Sequence, residues 1–570
     1  MKVKLILAIL LFPVFCYPQT IDLRKFTDPV LGENVFIFNP EMNMKDIQAV
    51  IDTVFGRQSA RRSEFSSNRY ALLFRPGHYD LDVKVNYYMT VLGLGDSPRD
   101  VVIRGAVRSN TTHGKSVLTN FWRSVENLTI EPRDSVSVWG VSQAAPMRRV
   151  YIKGNLQLFD IGYASGGFLA DSKIEGTVAS GPQQQWFSRN CEMGKWDGGV
   201  WNMMFMGVKG APEENWPDKP YTTIKETPLI REKPYLIVAG KRFAVRVPEI
   251  RKNSEGISWN PKKNADRLVP IKEFYLAKPG TDNSTTLNTV LKKGMNIIFT
   301  PGIYKLEESL LIAREGTIIL GIGMPSLMPV NGNSAIEASD VGGITIGGLT
   351  IDAGLIASDV LLSIGDPGSN ASHEANPSFL FDIFFRVGGP SEGSAEKCMV
   401  INSSDVFIDH TWIWRADHGN GVGWYKNKCA NGLVVHGDNV TIYGLFNEHF
   451  QEYQTLWNGN NGRVYFYQSE MPYDPPSVDA WKHDGTNGYA SYKVADHVKS
   501  HEAWGVGIYN VFYDAPVIVD NAIETPEHLE NQIHHKVIFW LNGNKESVVK
   551  SIINGKGGRI DINNRKAVMK

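Results

Sequence analysis

The sequence predicts an all-β chain built as two tandem right-handed parallel β-helix domains. Three observations carry this. Short apolar-polar-apolar runs ending in Gly or Asn recur along the chain, among them VVIRGAV, SVENLTI, RRVYIKG, ITIGGLTI, VFIDHTWIW and RVYFYQSE. Gly is abundant at 54 residues, as tight turns between such strands require. A long stretch also repeats itself. Phe74, Pro76, Gly77 and Tyr79 reappear at one constant offset as Phe299, Pro301, Gly302 and Tyr304, and Gly93-Leu94-Gly95 reappears as Gly321-Ile322-Gly323 after a small insertion. That is duplication of a whole domain. Two-residue hairpin turns between matched strands are few, which argues against an antiparallel sandwich.

In chain order, residues 1–19 carry two lysines, an apolar run and then small and polar residues, the pattern of a secretory signal peptide. Cleavage near Gln19 and a secreted or periplasmic protein are expected. Cys16 raises a surface lipoprotein, but Phe15 stands where a small residue belongs. Residues 20–208 form the N-terminal β-helix domain. It opens with apolar residues at helical spacing over 44–55, then a strand at Tyr70–Phe74 and a Pro-Gly turn. Residues 209–275, rich in Pro, Lys and Glu, read as a linker or extension containing a hairpin at KPYLIVAGKRFAVRV. The C-terminal β-helix domain follows over 276–540. It repeats the order of short helix at 285–292, strand from Asn296, turn and strand, and a basic polar tail over 541–570 closes the chain.

At 570 residues the chain is too long for one core. A net charge of −1 excludes a basic nucleic-acid surface, and no later segment is apolar enough to span a bilayer. Cys191, Cys398 and Cys429 have no CxxC spacing and read as buried thiols. No metal or cofactor is expected, and the chain reads as a monomer.

Chemistry concentrates between Tyr443 and Pro476. Glu448 and Glu470 lie one coil, about 22 residues, apart, so they stack on one face. A carboxyl pair flanked by Tyr453, Trp457 and Tyr473 has the makings of a carbohydrate site. Tyr467, Met471 and Tyr473 are expected to desolvate Glu470, and Glu448 to add negative charge; both effects raise a carboxyl pKa. Gln143 and Ser165 share the same one-coil spacing in the first domain. His449, Trp504 and the run from Trp412 through Trp414 and Arg415 to Asp417 and His418 are further candidates for sugar contacts. Trp412 and Trp414 alternate and share one strand face.

Five passages in matching order resemble glycoside hydrolase family 55. They are Trp139 to Gln143, Tyr163 to Asp171, Gln183-Gln184-Gln185 before Trp186, Asn447-Glu448-His449 through Gln468-Ser469-Glu470 to Tyr473, and His501 to Tyr509. The resemblance spans most of residues 40–515. It implies a pectate-lyase-like double β-helix with the site in the cleft between the domains, and an exo-acting, inverting β-1,3-glucanase. On this resemblance Glu470 is the general acid and Glu448 shapes the sugar site. Gln143 and Ser165 hold the attacking water, and Gln184 lies with the substrate-binding residues. From the residues alone, Glu448 is equally a candidate base, although so close to Glu470 it leaves little room for water. After the acid the family pattern Pro-Tyr-Tyr-Gln-Pro is here Pro472-Tyr473-Asp474-Pro475-Pro476. Asp474 thus adds a charge expected either to raise the acid's pKa further or to change what sits on the leaving-group side. A hydrolase of another glycan, a non-catalytic carbohydrate-binding β-helix and a polysaccharide lyase are the alternatives. The lyase wants a dense acidic cluster or a basic residue against uronate, and no such acidic cluster is found.

Overall fold

The computed structural model describes residues 21–259 and 266–570. The expected signal peptide lies outside the described residues. Among those residues no helix is long and apolar enough to cross a membrane.

Two stacks of coils account for most of the chain. In the first, parallel strands pair in the order Gly32–Phe38, Tyr70–Phe74, Met89–Gly93, Arg123–Pro132, Met147–Ile152, Phe168–Ala170, Gln185–Arg189, Asn202–Met206 and Tyr221–Ile224. The last of these falls within the segment read as linker. In the second, one ladder runs from Phe274–Ala277 through Val406–Arg415, Thr441–Glu448, Gly462–Glu470 and His501–Phe512 to Ile533–Gly543. An eight-stranded sheet forms another face of the same coils. Lys566–Met569, in the polar tail, adds to the second ladder as an antiparallel edge strand.

The duplication is visible in atomic detail. Each stack opens with an Asn-capped helix: Asn43 caps Met44–Arg57 and Asn283 caps Ser284–Lys292 through side-chain bonds to backbone N–H groups. Each helix lays its apolar stripe, Ile47, Val50, Ile51 and Val54 or Leu287, Val290 and Leu291, over the end of a coil core. The Pro-Gly turns are tied identically. Tyr79 Oη donates to the carbonyls of Arg75 and Phe38, and Tyr304 Oη to those of Thr300 and Ala277.

Residues 227–259 and 266–270 do more than link the domains. Tyr235–Ala239 and Arg242–Val247 form the expected hairpin, joined by Arg267–Pro270. Leu236, Val245 and Val269 pack at once against Ala71 and Leu73 of the first stack and Ile298 and Leu320 of the second. The segment is a wedge between the two stacks.

Each stack has a corner where one residue per coil takes a left-handed backbone. In the second stack Gly348, Asp382, His410, Gly444, Phe466, Gly505 and His535 occupy successive rungs, all at positive φ. In the first, Asn127, Arg149, Asp171, Asn190 and Gly207 do so. Non-glycine residues tolerate this conformation at a cost, Asn and Asp least. At Gly444 a second demand applies. A Cβ there would sit 3.1 Å from Phe187 and 3.3 Å from Phe168 of the first stack. The second corner is therefore the surface on which the two stacks meet, within a cluster that includes Phe168, Phe187, Met204, Phe446 and Phe466.

Gly444→Ala should combine backbone strain with this contact and cost about 1–2 kcal/mol, read as a thermal midpoint lowered by a few degrees with the β-sheet circular dichroism preserved. An unchanged midpoint would show that the corner has no need of glycine.

Candidate active site

The cleft lies where the end of the second corner faces the first stack. Glu448 and Glu470 end the adjacent strands Thr441–Glu448 and Gly462–Glu470 and pair directly in register. Gln143 and Ser165 come from the first stack. All four line one cavity of about 280 Å³, with Leu118, Thr119, Phe121, Gln184, Trp412, Trp414, Asp417, His418, His449, Tyr473 and Leu541.

The two halves are joined by one amide. Gln143 Nε2 donates to Ser165 Oγ at 3.2 Å and to Glu448 Oε1 at 3.0 Å. Both partners accept, so the amide orientation is fixed. Its oxygen is buried and has no hydrogen-bond partner among the described residues. Ser165 Oγ also accepts from Gln185 Nε2 at 3.1 Å. With two amides donating to it, the serine hydroxyl is left as a donor. Trp412 Nε1 donates to the other oxygen of Glu448 at 2.8 Å.

Burial raises the pKa of Glu448 against the opposing pull of His449 and these hydrogen bonds. Glu470 is pushed well above the usual carboxylate range, first by burial, then by Glu448 and by Asp417, while a hydrogen bond from Tyr473 Oη opposes the rise. The two carboxyls share a site and titrate as a pair. Asp417 behaves oppositely. Burial would raise it, but the His418 bond at 2.9 Å and nearby His449 hold it at about 2. His418 bridges Asp417 and Glu64, at 2.9 and 2.8 Å, and these contacts outweigh burial and lift it to about 10. One wall thus carries fixed charges of both signs beside a protonatable carboxyl. Among the described residues no group of three His, Cys, Asp or Glu side chains is arranged to hold a metal ion.

Several sequence expectations need correction. Trp457 lies in the core on the strand Thr455–Trp457 of the other sheet, against His501 at 4.6 Å. Tyr453 packs edge-on against His483 and Tyr489 and does not line the cleft. Trp504 stacks on His534 at 3.9 Å. It precedes the corner residue Gly505, whereas Glu448, Glu470, Trp412 and Trp414 all follow their corners, so it faces elsewhere. Tyr467 and Met471 point into the core because strand alternation puts them opposite Glu470. Asp474 leaves the acid's pKa alone: both its oxygens are held by Arg415 at 2.9 and 2.8 Å, and Asp417 supplies the extra charge. Trp412 and Trp414 do share a face, with ring centroids 5.1 Å apart. Of the glutamine triplet, Gln184 reaches the cleft and Gln185 holds Ser165, while Gln183 ties backbone together through Val141 and Leu158. Leu118, Thr119 and Phe121 were not anticipated, because their loop shows neither periodicity nor a motif.

Comparison with known proteins follows the same lines. A family model described as the LAM55 pectate lyase-like domain matches residues 274–470. An exo-beta-1,3-glucanase of Streptomyces sp. (strain SirexAA-E / ActE) is 42% identical over 518 residues, covering 90% of this chain and 85% of its own length. The solved structure of sacteLam55A from Streptomyces sp. SirexAA-E superposes with a TM-score of 0.91 at 40% identity, covering 95% of this chain and 98% of that one. A variant of sacteLam55A in complex with glucose superposes with a TM-score of 0.90 at 39% identity, over the same shares of the two chains.

The raised pKa of Glu470 has a cost for stability. The folded state holds that proton more tightly than the unfolded chain, so stability is full below the unfolded pKa and falls as pH rises through the folded one. Glu470→Gln should therefore raise the thermal midpoint at pH 7, with the gain shrinking toward pH 4. A midpoint lowered at both pH values would contradict the raised pKa.

Proposed function

The chain belongs to glycoside hydrolase family 55, and we propose that it is an exo-acting, inverting β-1,3-glucanase with Glu470 as general acid and a water held by Gln143 and Ser165. The observation that carries this is the locked Gln143 amide. Its nitrogen is committed to Ser165 and Glu448, which leaves its oxygen as a fixed acceptor for one proton of a water. The Ser165 hydroxyl, already accepting from two amides, donates to that water's oxygen.

Inversion needs an acid on one side of the sugar and a water on the other. Glu470 on the second stack and the Gln143–Ser165 pair on the first bring acid and water to one cavity from different stacks. Burial and the charge of Glu448 keep Glu470 protonated at pH values where an ordinary carboxyl is ionised, as a proton donor to the leaving oxygen requires. Glu448 does double duty in this reading. Its charge raises the pKa of the acid, and its bond to Gln143 couples that charge to the water-holding side. Asp417, His418, His449, Tyr473 and Gln184 supply hydroxyl partners for a glucosyl ring, while Trp412, Trp414 and Phe121, almost wholly buried in a cluster with Trp122, give the cavity an apolar lining. A cavity this small suits the end of a chain, in line with the exo action named for the Streptomyces relative. The opening of the sequence supports an exported enzyme, as a polymeric substrate demands.

Digestion of laminarin, followed by proton NMR from the first turnover, tests the reading. α-Glucose should appear first; β-glucose would mean retention and overturn the water-holding role. Glu470→Gln should lower kcat by about 10²–10⁴-fold. Unchanged turnover would remove Glu470 from the mechanism.

The pH profile makes a second test. The basic limb of kcat/KM reports loss of the proton from the carboxyl pair. Glu448→Gln removes the charge that raises Glu470, so the basic limb of the residual activity should move to lower pH. A limb that stays in place would separate the two carboxyls.

A further inference from the structure

No step above uses His410, a fully buried histidine at the surface where the two stacks meet. It sits on the left-handed corner with φ of 70°. Its ring lies flat on Phe168 of the first stack, with centroids 4.5 Å apart and planes 6° apart, and meets Phe384 and Phe446 edge-on at 5.3 and 5.8 Å. Held on three sides, it has little freedom to turn. Nδ1 is 2.9 Å from Asp382 Oδ1, and Nε2 is 3.3 Å from the backbone carbonyl oxygen of Gln143.

Gln143 is under unusual constraint. Its φ is +30°, a backbone conformation that a residue with a Cβ adopts only when its surroundings enforce it. Its side chain is held by Ser165 and Glu448, and its carbonyl accepts from Ala145 N at 2.8 Å as well as facing His410. Among the described residues, His410 supplies the hydrogen-bonding contact on this peptide carbonyl from the other β-helix. Asp382, behind it, is anchored by Arg148 at 2.8 Å and Lys233 at 3.1 Å.

We infer that His410 is a positioning residue for Gln143, fixing the strained peptide from which the Gln143 amide is aimed into the cleft. This rests on the water-holding reading proposed above. Displacement of a water-holding group by an ångström is enough to cost about 10²-fold in rate. The ring protons matter too. Both partners are acceptors, and burial, with Arg148, lowers the ring's pKa against the opposing pull of Asp382 and Asp409. The neutral ring has a single N–H, which donates to the Gln143 carbonyl when it is carried on Nε2.

The test is a double-mutant cycle on laminarin. His410→Phe keeps the ring packing and removes both polar contacts, and Asp382 stays paired with Arg148 and Lys233. We expect kcat to fall about 10- to 100-fold with KM nearly unchanged, because binding of the sugar does not pass through this peptide. His410→Gln restores a donor at the Nε2 position and should recover part of the loss. Gln143→Ala should lower kcat by itself, and adding His410→Phe to it should cost little more. Wild-type kcat in His410→Phe overturns the inference. So does a loss shared equally by KM, or a double variant whose losses multiply. If His410→Phe fails to fold, the cycle is run with His410→Gln, where full additivity is the overturning result. A Gln143→Ala variant with normal kcat would instead sink the water-holding reading itself, and the inference with it.

Discussion

Holding two long β-helices in one fixed relation is the constraint on which the site depends, and a buried ion network meets it. Arg148 reaches from the first stack to Asp382 and Asp409 of the second, at 2.8 and 2.7 Å. Arg189 joins Asp409 to Glu232 of the wedge at 2.9 and 2.7 Å, and Lys233 of the wedge returns to Asp382 at 3.1 Å. Almost every one of these side chains is excluded from water. Burying so many charges is expensive, and apolar packing often stabilises as well. What the network offers is definition. Apolar faces such as Phe168 on His410 tolerate sliding, whereas a forked guanidinium between two carboxylates has one geometry. A cleft in which Gln143 of one half must bond Glu448 of the other tolerates little sliding.

Much of this was legible in the sequence, because it depends on spacing. The coil period stacked Glu448 on Glu470 and Gln143 on Ser165, and the constant offset from Phe74 to Phe299 revealed the duplication that the Asn-capped helices and the tied Tyr79 and Tyr304 turns now display. Period alone, however, does not say where a coil bends. Trp457 and Trp504 are close in sequence to the carboxyls and chemically suited to sugars, yet each lies on a face that a corner turns away. The corner residues have no common identity, since Gly, Asp, His and Phe all occupy the same rung position. The wedge was equally opaque. Its Pro, Lys and Glu content reads as linker, and only the fold shows Glu232 and Lys233 completing an interior network.

Asp474 shows why local sequence misleads about electrostatics. Four residues from Glu470, it is bound to Arg415, two coils away, while Asp417, distant in sequence, acts on Glu470. In a solenoid the relevant neighbours of a side chain are a coil or two away, not one residue away. Spacing identified the stacked pairs for the same reason that it could not identify the charges around them.

The arrangement of charges explains how two carboxyls in one site take different parts. Desolvation raises both, so it does not by itself part them. What does is the partners each has. Glu448 has both oxygens engaged by donors, Gln143 and Trp412, which favour its anion. Glu470 is bonded by the weakly acidic Tyr473 and, at 3.4 Å, by Gln468 Nε2, and it faces two anions, Glu448 and Asp417. The shared proton therefore belongs on Glu470, the carboxyl nearer the rim. That assignment follows from hydrogen-bond partners and neighbouring charges together, and three of the groups that enforce it, Trp412, Glu448 and Asp417, come from the second stack. The fourth, Gln143, comes from the first. Separating the stacks would remove the donor that helps keep Glu448 ionised, and with it part of the field that keeps Glu470 protonated. Docking of the two helices thus sets the protonation pattern as well as the shape of the cleft.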